Sequence, residues 1–255
     1  MVAASKLHNC KSRLEYARSF FAETERIIGG VDLNDELVDN IYLQPNETNV
    51  AAYLIVTGDR GMCGSYNSNL LECARRHMNG SGKDIRLLTI GGKGYDYYRR
   101  NKKDVSYRFV DMLETAFYED AVRISHYLRN LFSLGEVDEI NVAYTEFESV
   151  FTHTPRIKRI LPIVTGAACE CKTRPMKYDI EISSYLDHAI PSYLNAFVYT
   201  AMLESVACEN AARTLSMDSA VNNATDIIDK LTRAYNRNRQ TAITQEISEI
   251  IAGWQ

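Results

Sequence analysis

Residues 191–252 decide the fold, and they read PSYLNAFVYTAMLESVACENAARTLSMDSAVNNATDIIDKLTRAYNRNRQTAITQEISEIIA. Pro191 suits the first turn of a helix, and neither Gly nor Pro follows it through Ala252. At 1.5 Å per residue, such a helix would be on the order of 93 Å long. Helices of more than about 25 residues in soluble proteins are usually coiled coils or repeats. We therefore predict one long helix that packs along another helix and reaches a partner, rather than one that hosts a reaction.

Apolar and small residues follow this helix in three lines. The first line is Leu194, Val198, Ala201, Ser205, Cys208, Ala212 and Leu215. The second is Met217, Ala220, Ala224, Ile227, Leu231 and Ala234. The third is Ile243, Ile247, Ile250 and Trp254. Each line is shifted in phase from the one before, and a phase shift changes which face is buried. Different lengths of the helix are therefore expected to meet different partners.

The N-terminal segment offers the obvious helical partner. Residues 2–28 lack Gly and Pro, and their apolar or small side chains recur at coiled-coil spacing, with Thr24 as the one polar step: Leu7, Cys10, Leu14, Ala17, Phe21 and Ile28. Gly29-Gly30 then ends the helix. We predict an antiparallel coiled coil of the two chain ends, with a seam that includes Leu7, Leu14, Phe21, Ala220, Ile227 and Leu231.

Between the two ends, short apolar runs alternate with helical patterns. Strands are predicted at 51–57, 85–90, 105–110, 139–147 and 156–164, with helices at 65–77, 95–101 and 118–134. The last two strands could pair as a hairpin. Alternation of this kind predicts a Rossmann-like α/β domain with a mostly parallel sheet. The predicted domains are 1–45 (N-terminal coiled-coil helix), 46–184 (α/β domain) and 185–255 (long C-terminal helix).

Composition excludes several classes of protein. The net charge of −4 gives no reason to expect a nucleic-acid binder, and no apolar run approaches the ~18 residues of a membrane span. Six cysteines in 255 residues do not suggest a disulfide framework. The Cys169-Glu170-Cys171 pair lacks the second Cys or His cluster of a zinc site. We expect no metal, no cofactor, no nucleic acid and no direct insertion into a membrane.

The turn Thr57-Gly-Asp-Arg-Gly-Met-Cys-Gly64 lies between a strand and a helix, where phosphate-binding loops occur. It lacks the Gly-Lys-Ser/Thr ending of a P-loop and the spacing of a dinucleotide fingerprint. A structural turn is the favoured interpretation. A nucleotide-responsive α/β switch that uses this turn for phosphate stays open as an alternative, as does a passive coiled-coil scaffold.

The distal part of the long helix carries a basic segment next to an apolar end. Lys230, Arg233, Arg237 and Arg239 are cationic, and no acidic residue occurs between Lys230 and Gln245. A basic run on a helix is usually a solvated face, but the apolar residues that follow would then be exposed as well. The combination favours insertion into a partner with acidic loops and an apolar sleeve.

Four motifs resemble the gamma subunit of F-type ATP synthases. They are the C-terminal stretch YNRNRQTAITQEISEIIAG (235–253), the start MVAASKL (1–7), the turn TGDRGMCGSYN (57–67), and Glu204-Ser205 with ENAAR (209–213) and residues 217–224. The resemblance extends over essentially the whole chain in the family's order. Members of that family normally have some two dozen residues before the MVAASKL stretch. The resemblance therefore implies that the first part of the N-terminal helix is missing here.

The resemblance implies a rotor without catalytic residues of its own. In that family, the N- and C-terminal helices form an antiparallel coiled coil on the axis of a ring of alternating alpha and beta subunits. ATP is made on the beta subunits, and the α/β domain lies beside an epsilon-type subunit on the membrane ring of c subunits. Rotation of the shaft, driven by ions through that ring, would cycle the catalytic sites. The expected location is the cytoplasmic face of a bacterial membrane, or the matrix side of the inner membrane if mitochondrial.

Site residues follow from the same resemblance. Arg239, Gln240 and Thr244 match residues that hydrogen-bond catch loops of the head, and Arg213 and Glu246 match polar positions coupled to them. Ile243, Ile247, Ile250 and Trp254 would turn in an apolar bearing. Tyr178 and Glu181 fall where members of the family have the foot, the part of the α/β domain that faces the c-ring. The sequence of residues 177–181 departs from the family's usual pattern at this place.

Overall fold

The structure is a computed structural model, and it describes residues 2–30, 40–109, 112–113, 116–163 and 182–253. Its elements, in chain order, are α1 (Val2–Gly29), β1 (Val50–Val56), α2 (Tyr66–Ser81), β2 (Asp84–Ile90), α3 (Gly92–Arg100), β3 (Tyr107–Phe109), α4 (Tyr118–Ser133), β4 (Glu139–Phe147), β5 (His153–Leu161) and α5 (Ile182–Ala252). The chain divides into two compact units, residues 1–214 and residues 215–255. Helix α5 contributes to both units.

The first unit is built on a five-stranded sheet in the order β3-β2-β1-β4-β5. The first four of these strands are parallel, while β5 runs antiparallel to β4. Both the mostly parallel sheet and the terminal hairpin are therefore confirmed. Strand β1 is buried along nearly its whole length, as expected of a central parallel strand that is covered on both faces.

Side chains of β1 alternate between two separate cores. Ala51, Tyr53 and Ile55 pack in a core with residues of α2 and α3. Ala52, Leu54 and Val56 belong to a larger core that also contains residues of α1, α4 and α5. The two-residue period of a strand sends successive side chains to opposite faces. As a result, one face of the sheet is covered by α2 and α3, and the other by α4 together with α1 and α5.

Helices α1 and α5 pack against each other in antiparallel orientation within the first unit. The Cys10 thiol donates to the carbonyl of Leu203 at 3.3 Å, and the Thr200 hydroxyl donates to the carbonyl of Ala17 at 3.3 Å. Farther along α1, Phe21 has its ring centroid 5.5 Å from that of Tyr193. Leu7 and Leu14 are buried, and Phe21 is half-buried. These three residues therefore lie on the side of α1 that faces the core of the first unit.

The other three predicted seam residues belong to the second unit. Ala220, Ile227 and Leu231 are exposed, with 56% of Ile227 and 64% of Leu231 accessible. Their burial in a coiled coil with the N-terminal helix stays a prediction.

One correction concerns the start of the long helix. Helix α5 begins at Ile182, so Pro191 lies inside it rather than in its first turn. Proline lacks the N–H that donates to the fourth residue back, and an interior proline is usually costly. Here the flanking residues Ile190 and Leu194 are almost fully buried, and this tertiary burial outweighs the local preference. Strand β5 also begins earlier than predicted, at His153.

Candidate functional site

The turn after β1 is held by its own side chains. The backbone N–H of Gly58 donates to Asn67 Oδ1 at 2.9 Å, and Asn67 Nδ2 donates to Cys63 Sγ at 3.2 Å. Burial raises the pKa of the Cys63 thiol, and the nearby Glu209 carboxylate raises it further. The backbone N–H of Gly58 is therefore already donated to an amide oxygen and is not available to a phosphate.

The same turn caps helix α3 at the end of β2. Three consecutive backbone N–H groups of its first turn are satisfied: Gly92 by Asp59 Oδ1 at 2.8 Å, Lys93 by the Gly58 carbonyl at 3.1 Å, and Gly94 by Thr57 Oγ1 at 2.8 Å. These are the orphan donors that make a helix N-terminus attractive to anions. Because protein groups occupy them, this second strand-to-helix turn does not bind phosphate through them either.

The two turns are in close contact through Gly91. This residue has φ +88, and a Cβ placed on it would lie 1.9 Å from the carbonyl oxygen of Thr57. Only glycine tolerates both this backbone conformation and this approach. The glycines of the first unit therefore allow two turns to interlock, a role that does not require a ligand.

Helix α5 lies over the place where a doubly wound fold binds its ligand. The strand order reverses at β1, which has β2 on one side and β4 on the other, and ligands bind at the carboxyl ends of strands at such a switch point. Here the Cys208 thiol donates to the carbonyl of Thr145 near the end of β4, at 3.5 Å. The Tyr66 hydroxyl, just after the β1 turn, donates to the carbonyl of Ser205 at 3.2 Å. The crevice is filled by the chain's own helix.

A carboxylate occupies the position next to the β1 turn. A Cβ built on Gly58 would lie 2.7 Å from Glu209 Cδ, which places this carboxyl group directly on the glycine. Arg213 Nη2 forms an ion pair with Glu209 Oε1, and Arg213 Nε donates to the carbonyl of Gly61 at 3.3 Å. An anionic phosphate would be repelled from this position. The structural interpretation of the turn is therefore supported, and the nucleotide-switch alternative has no open phosphate site here.

Arg213 makes its contacts with other residues of this chain. Only 14% of its side chain is exposed, and its guanidinium also donates to Asn210 Oδ1 at 3.4 Å. The sequence resemblance had grouped Arg213 with the residues coupled to head contacts. In the structure it joins α5 to the turn after β1, because its spacing of four residues from Glu209 brings both side chains to one face of the helix.

A second buried carboxylate links three elements. Glu204 of α5 is paired with Arg18 of α1, whose Nη2 also donates to the carbonyl of Phe147 at the end of β4, at 2.6 Å. Only 6% of the Glu204 side chain is exposed, and burial raises the pKa of its carboxyl group. The sequence placed Glu204 in a motif but did not predict its pairing with Arg18. The available signal was a glutamate between two positions of the apolar line, Ala201 and Ser205.

The second unit carries the predicted head-contact residues on its surface. Arg239, Gln240, Thr244 and Glu246 are all exposed. The Thr244 hydroxyl donates to the carbonyl of Gln240 at 2.8 Å, within its own helix, which leaves its oxygen free to accept from a partner. Helical periodicity of 100° per residue places Gln240 and Thr244 on the same side of the helix.

The predicted apolar bearing is also exposed. Ile243, Ile247 and Ile250 lie within one narrow face of the helix, and each is between 43% and 63% accessible. Val221 and Tyr235 add further exposed apolar surface in the same unit. Trp254 lies outside the described residues. So much apolar surface on a single helix is typical of a segment that is covered by a partner.

The chain is similar to known proteins over its whole length. A family model described as ATP synthase matches residues 1–255. This chain belongs to the ATP synthase gamma chain family. The gamma chain of Alkaliphilus metalliredigens is 33% identical, over 99% of this chain and 89% of the relative, and that of Symbiobacterium thermophilum is 35% identical with the same coverage. A sodium-ion-specific gamma chain from Acetobacterium woodii is 32% identical, over 99% of this chain and 90% of its own length.

Solved structures agree at the level of the fold. The central stalk and c-ring structure of the Tetrahymena thermophila mitochondrial ATP synthase contains a chain that matches with a TM-score of 0.59 and 22% identity, covering 87% of this chain and 96% of that one. A rotor chain of the Euglena gracilis mitochondrial enzyme matches with a TM-score of 0.60 and 14% identity, covering 95% and 98%. The architecture of sheet and long terminal helices is therefore that of gamma chains.

A gamma chain is a non-catalytic subunit of ATP synthase, and the catalytic sites lie in the beta subunits. Within the described residues, no group of three or more His, Cys, Asp or Glu side chains could hold a metal ion. The same part of the chain contains no helix that is both long and apolar enough to cross a bilayer. Cys169, Cys171, Tyr178 and Glu181 lie outside the described residues.

Proposed function

We propose that this chain is the central rotor shaft of an F-type ATP synthase. In this role it couples ion-driven rotation of a membrane c-ring to the conformational cycle of the catalytic beta subunits. The orientation of the shaft would change the relative stability of open and closed beta conformers, and with it their affinity for nucleotide. Family membership supports the assignment, and the surface of the second unit supports the mechanism.

The exposed distal helix is the observation that carries this proposal. The described residues of the second unit, 215–253, bury almost nothing among themselves, yet they present ten large apolar side chains to solvent, counted from Met217 to Ile251. Four cations precede the isoleucines without an intervening acid. A sleeve formed by a ring of subunits would bury the apolar side chains, while acidic loops at its entrance would pair with the cations.

Specific contacts follow for four polar residues. Arg239 and Gln240 would donate to catch loops of the alpha and beta subunits, and the Thr244 oxygen would accept from them. Glu246 would pair with a basic group beside the same loops. An arginine that binds a carboxylate through two N–H groups gives both affinity and a fixed angle, and a rotor needs both properties at each stopping position.

The lower partners are proposed on the family resemblance. They are an epsilon-type subunit beside the α/β domain and a c-ring beneath it, with Tyr178 and Glu181 in the foot that faces the ring. The chain would then be a peripheral subunit at the cytoplasmic face of a bacterial membrane. Relatives from bacteria such as Alkaliphilus support that location.

Purification of the complex tests the proposal. Tagged chain should co-purify with alpha- and beta-type ATPase subunits, one copy for every three of each, and a stable lone homo-oligomer would contradict it. In that complex, Arg239→Ala together with Gln240→Ala should lower ATP hydrolysis and ATP-driven ion pumping. Arg76→Ala, which removes another exposed arginine from α2, is the control. A passive scaffold would leave both variants at the wild-type rate.

A further inference from the structure

The contact between the β1 turn and α5 lies at the end of the first unit. It consists of Gly58 and Gly61 from the turn and of Glu209 and Arg213 from the helix. The first unit ends at Thr214, one residue after Arg213. Among the described elements, α5 alone belongs to both units. Any torque that passes between the α/β domain and the distal helix therefore passes through the segment of α5 that this contact holds.

We propose that Glu209 and Arg213 are positioning residues that fix α5 against the α/β domain under rotational load. The inference rests on the proposed rotor function and deepens it. The turn–helix contact, meaning Gly58, Gly61, Glu209 and Arg213, lies where a doubly wound sheet would bind a ligand, and it braces the shaft at that position. The turn after β1 therefore binds the chain's own helix α5 at this position.

The turn is suited to bear load because it is fixed on its other side. Thr57, Gly58 and Asp59 cap the first turn of α3, and Asn67 holds Gly58 from the first turn of α2. A force applied to Gly58 by the Glu209 carboxylate is therefore passed to two helices and two strands. A flexible surface loop would yield instead.

The ion pair lies within α5 and holds both side chains in place against the turn. Only 11% of the Glu209 side chain and 14% of the Arg213 side chain are exposed, so solvent screens their attraction less than at the surface. Without the contacts that these two side chains make with the turn, the next hydrogen bonds from α5 to the domain are those of Cys208 and Ser205, and only the apolar packing of Ala211 lies between. The length of helix without a polar contact to the domain would grow by about 8 to 12 Å, at 1.5 Å per residue, and apolar packing alone resists twisting less than a directed hydrogen bond does.

Two glycines of the same turn give a matched pair of variants. Gly58→Ala adds a Cβ that meets the Glu209 carboxyl at 2.7 Å and displaces it, whereas Gly61→Ala adds a Cβ with nothing within 4 Å. Neither glycine has a positive φ, so neither change strains the backbone. The carbonyl that accepts from Arg213 is kept in Gly61→Ala.

The experiment uses the assembled ATP synthase in proteoliposomes. For Gly58→Ala, amide exchange around residues 209–214 should become about tenfold faster or more, since a buried charge-assisted contact is lost. The number of ions pumped per ATP hydrolysed should fall when an opposing ion gradient loads the rotor, while hydrolysis without load stays at the wild-type rate. Gly61→Ala should match the wild type in all three measurements.

A double variant separates the ion pair from simple packing. Gly58→Ala with Glu209→Ala removes the steric conflict but not the loss of the ion pair, so exchange should slow only in part while the coupling under load stays low. Wild-type coupling under load in Gly58→Ala, or full recovery of coupling in the double variant, would overturn the inference. Failure of the wild-type chain to assemble with alpha and beta subunits would instead overturn the rotor function itself.

Discussion

Removal of Arg18 should destabilise the first unit far more than neutralisation of its partner. The Arg18 guanidinium holds Glu204 through Nε at 2.8 Å and also donates to the carbonyl of Phe147. Glu204 Oε2 has no hydrogen-bond partner among the described residues, and the side chain is 94% shielded from solvent. Arg18→Ala therefore leaves a carboxylate that is buried without a counter-ion.

The expected magnitude follows from the burial of each partner. Breaking a fully buried ion pair by removing one charge costs about 3–5 kcal/mol. The Arg18 side chain is 42% exposed, so solvent already screens part of its attraction, and we expect a loss of about 2–3 kcal/mol. Glu204→Gln removes the charge that is costly to bury and keeps an acceptor for Arg18. It should therefore stay within about 1 kcal/mol of the wild type.

The loss should depend on pH in a defined direction. Burial raises the pKa of Glu204 in the folded state above its ordinary value of 4.5, and loss of Arg18 removes groups that lower it. The folded state then binds a proton more tightly than the unfolded state, so stability rises as the pH falls through the folded pKa toward 4.5. The destabilisation caused by Arg18→Ala should accordingly be larger at pH 7 than at pH 5.

Urea unfolding followed by near-ultraviolet circular dichroism is a suitable assay, because the buried tyrosines all belong to the first unit. Arg18→Ala with Glu204→Gln should recover most of the stability lost in the single arginine variant. The reasoning is refuted if Glu204→Gln is as destabilising as Arg18→Ala at pH 7, or if the loss in Arg18→Ala does not change between pH 5 and pH 7.

Further predictions concern packing, backbone conformation and thiol reactivity. Leu14→Ala should lower the free energy of unfolding in urea by about 2–5 kcal/mol because Leu14 is buried. Ile227→Ala should leave the free energy of unfolding of the isolated chain almost unchanged, because Ile227 is exposed. Equal losses would show that Ile227 is buried in solution. Gly91→Ala should prevent the native packing of the two turns and abolish the cooperative unfolding transition. Gly80→Ala, in open space on α2, should instead stabilise the chain by about 0.5–1 kcal/mol. A normal unfolding transition for Gly91→Ala would contradict the interlocked turns. In a chain whose Cys169 and Cys171 are replaced by serine, a thiol reagent should label Cys73 well before Cys10, Cys63 and Cys208, which are buried. Comparable labelling rates by mass spectrometry would show that the core opens readily.

The hydrophobic periodicity of the sequence predicts much of the fold. Alternating strand and helix patterns predicted the sheet, its hairpin and all five strands, because a side chain's burial follows from its position along a strand or helix. The spacing of Leu7 and Leu14 predicted the buried stripe of α1 for the same reason. The absence of Gly and Pro after residue 191 predicted the long helix, although its true start at Ile182 depends on burial around Pro191.

The pairing of these pieces was decided by the tertiary structure. A heptad pattern indicates that one face of a helix will be covered but not by which segment, so the sequence could not show that Arg18 of α1 pairs with Glu204 of α5. Nor could the turn motif alone reveal that Glu209 lies on Gly58, since 151 residues separate them along the chain. Contacts at such separations depend on how helices dock on the sheet. The long helix was determined by the sequence itself, and its anchoring to the domain by the fold.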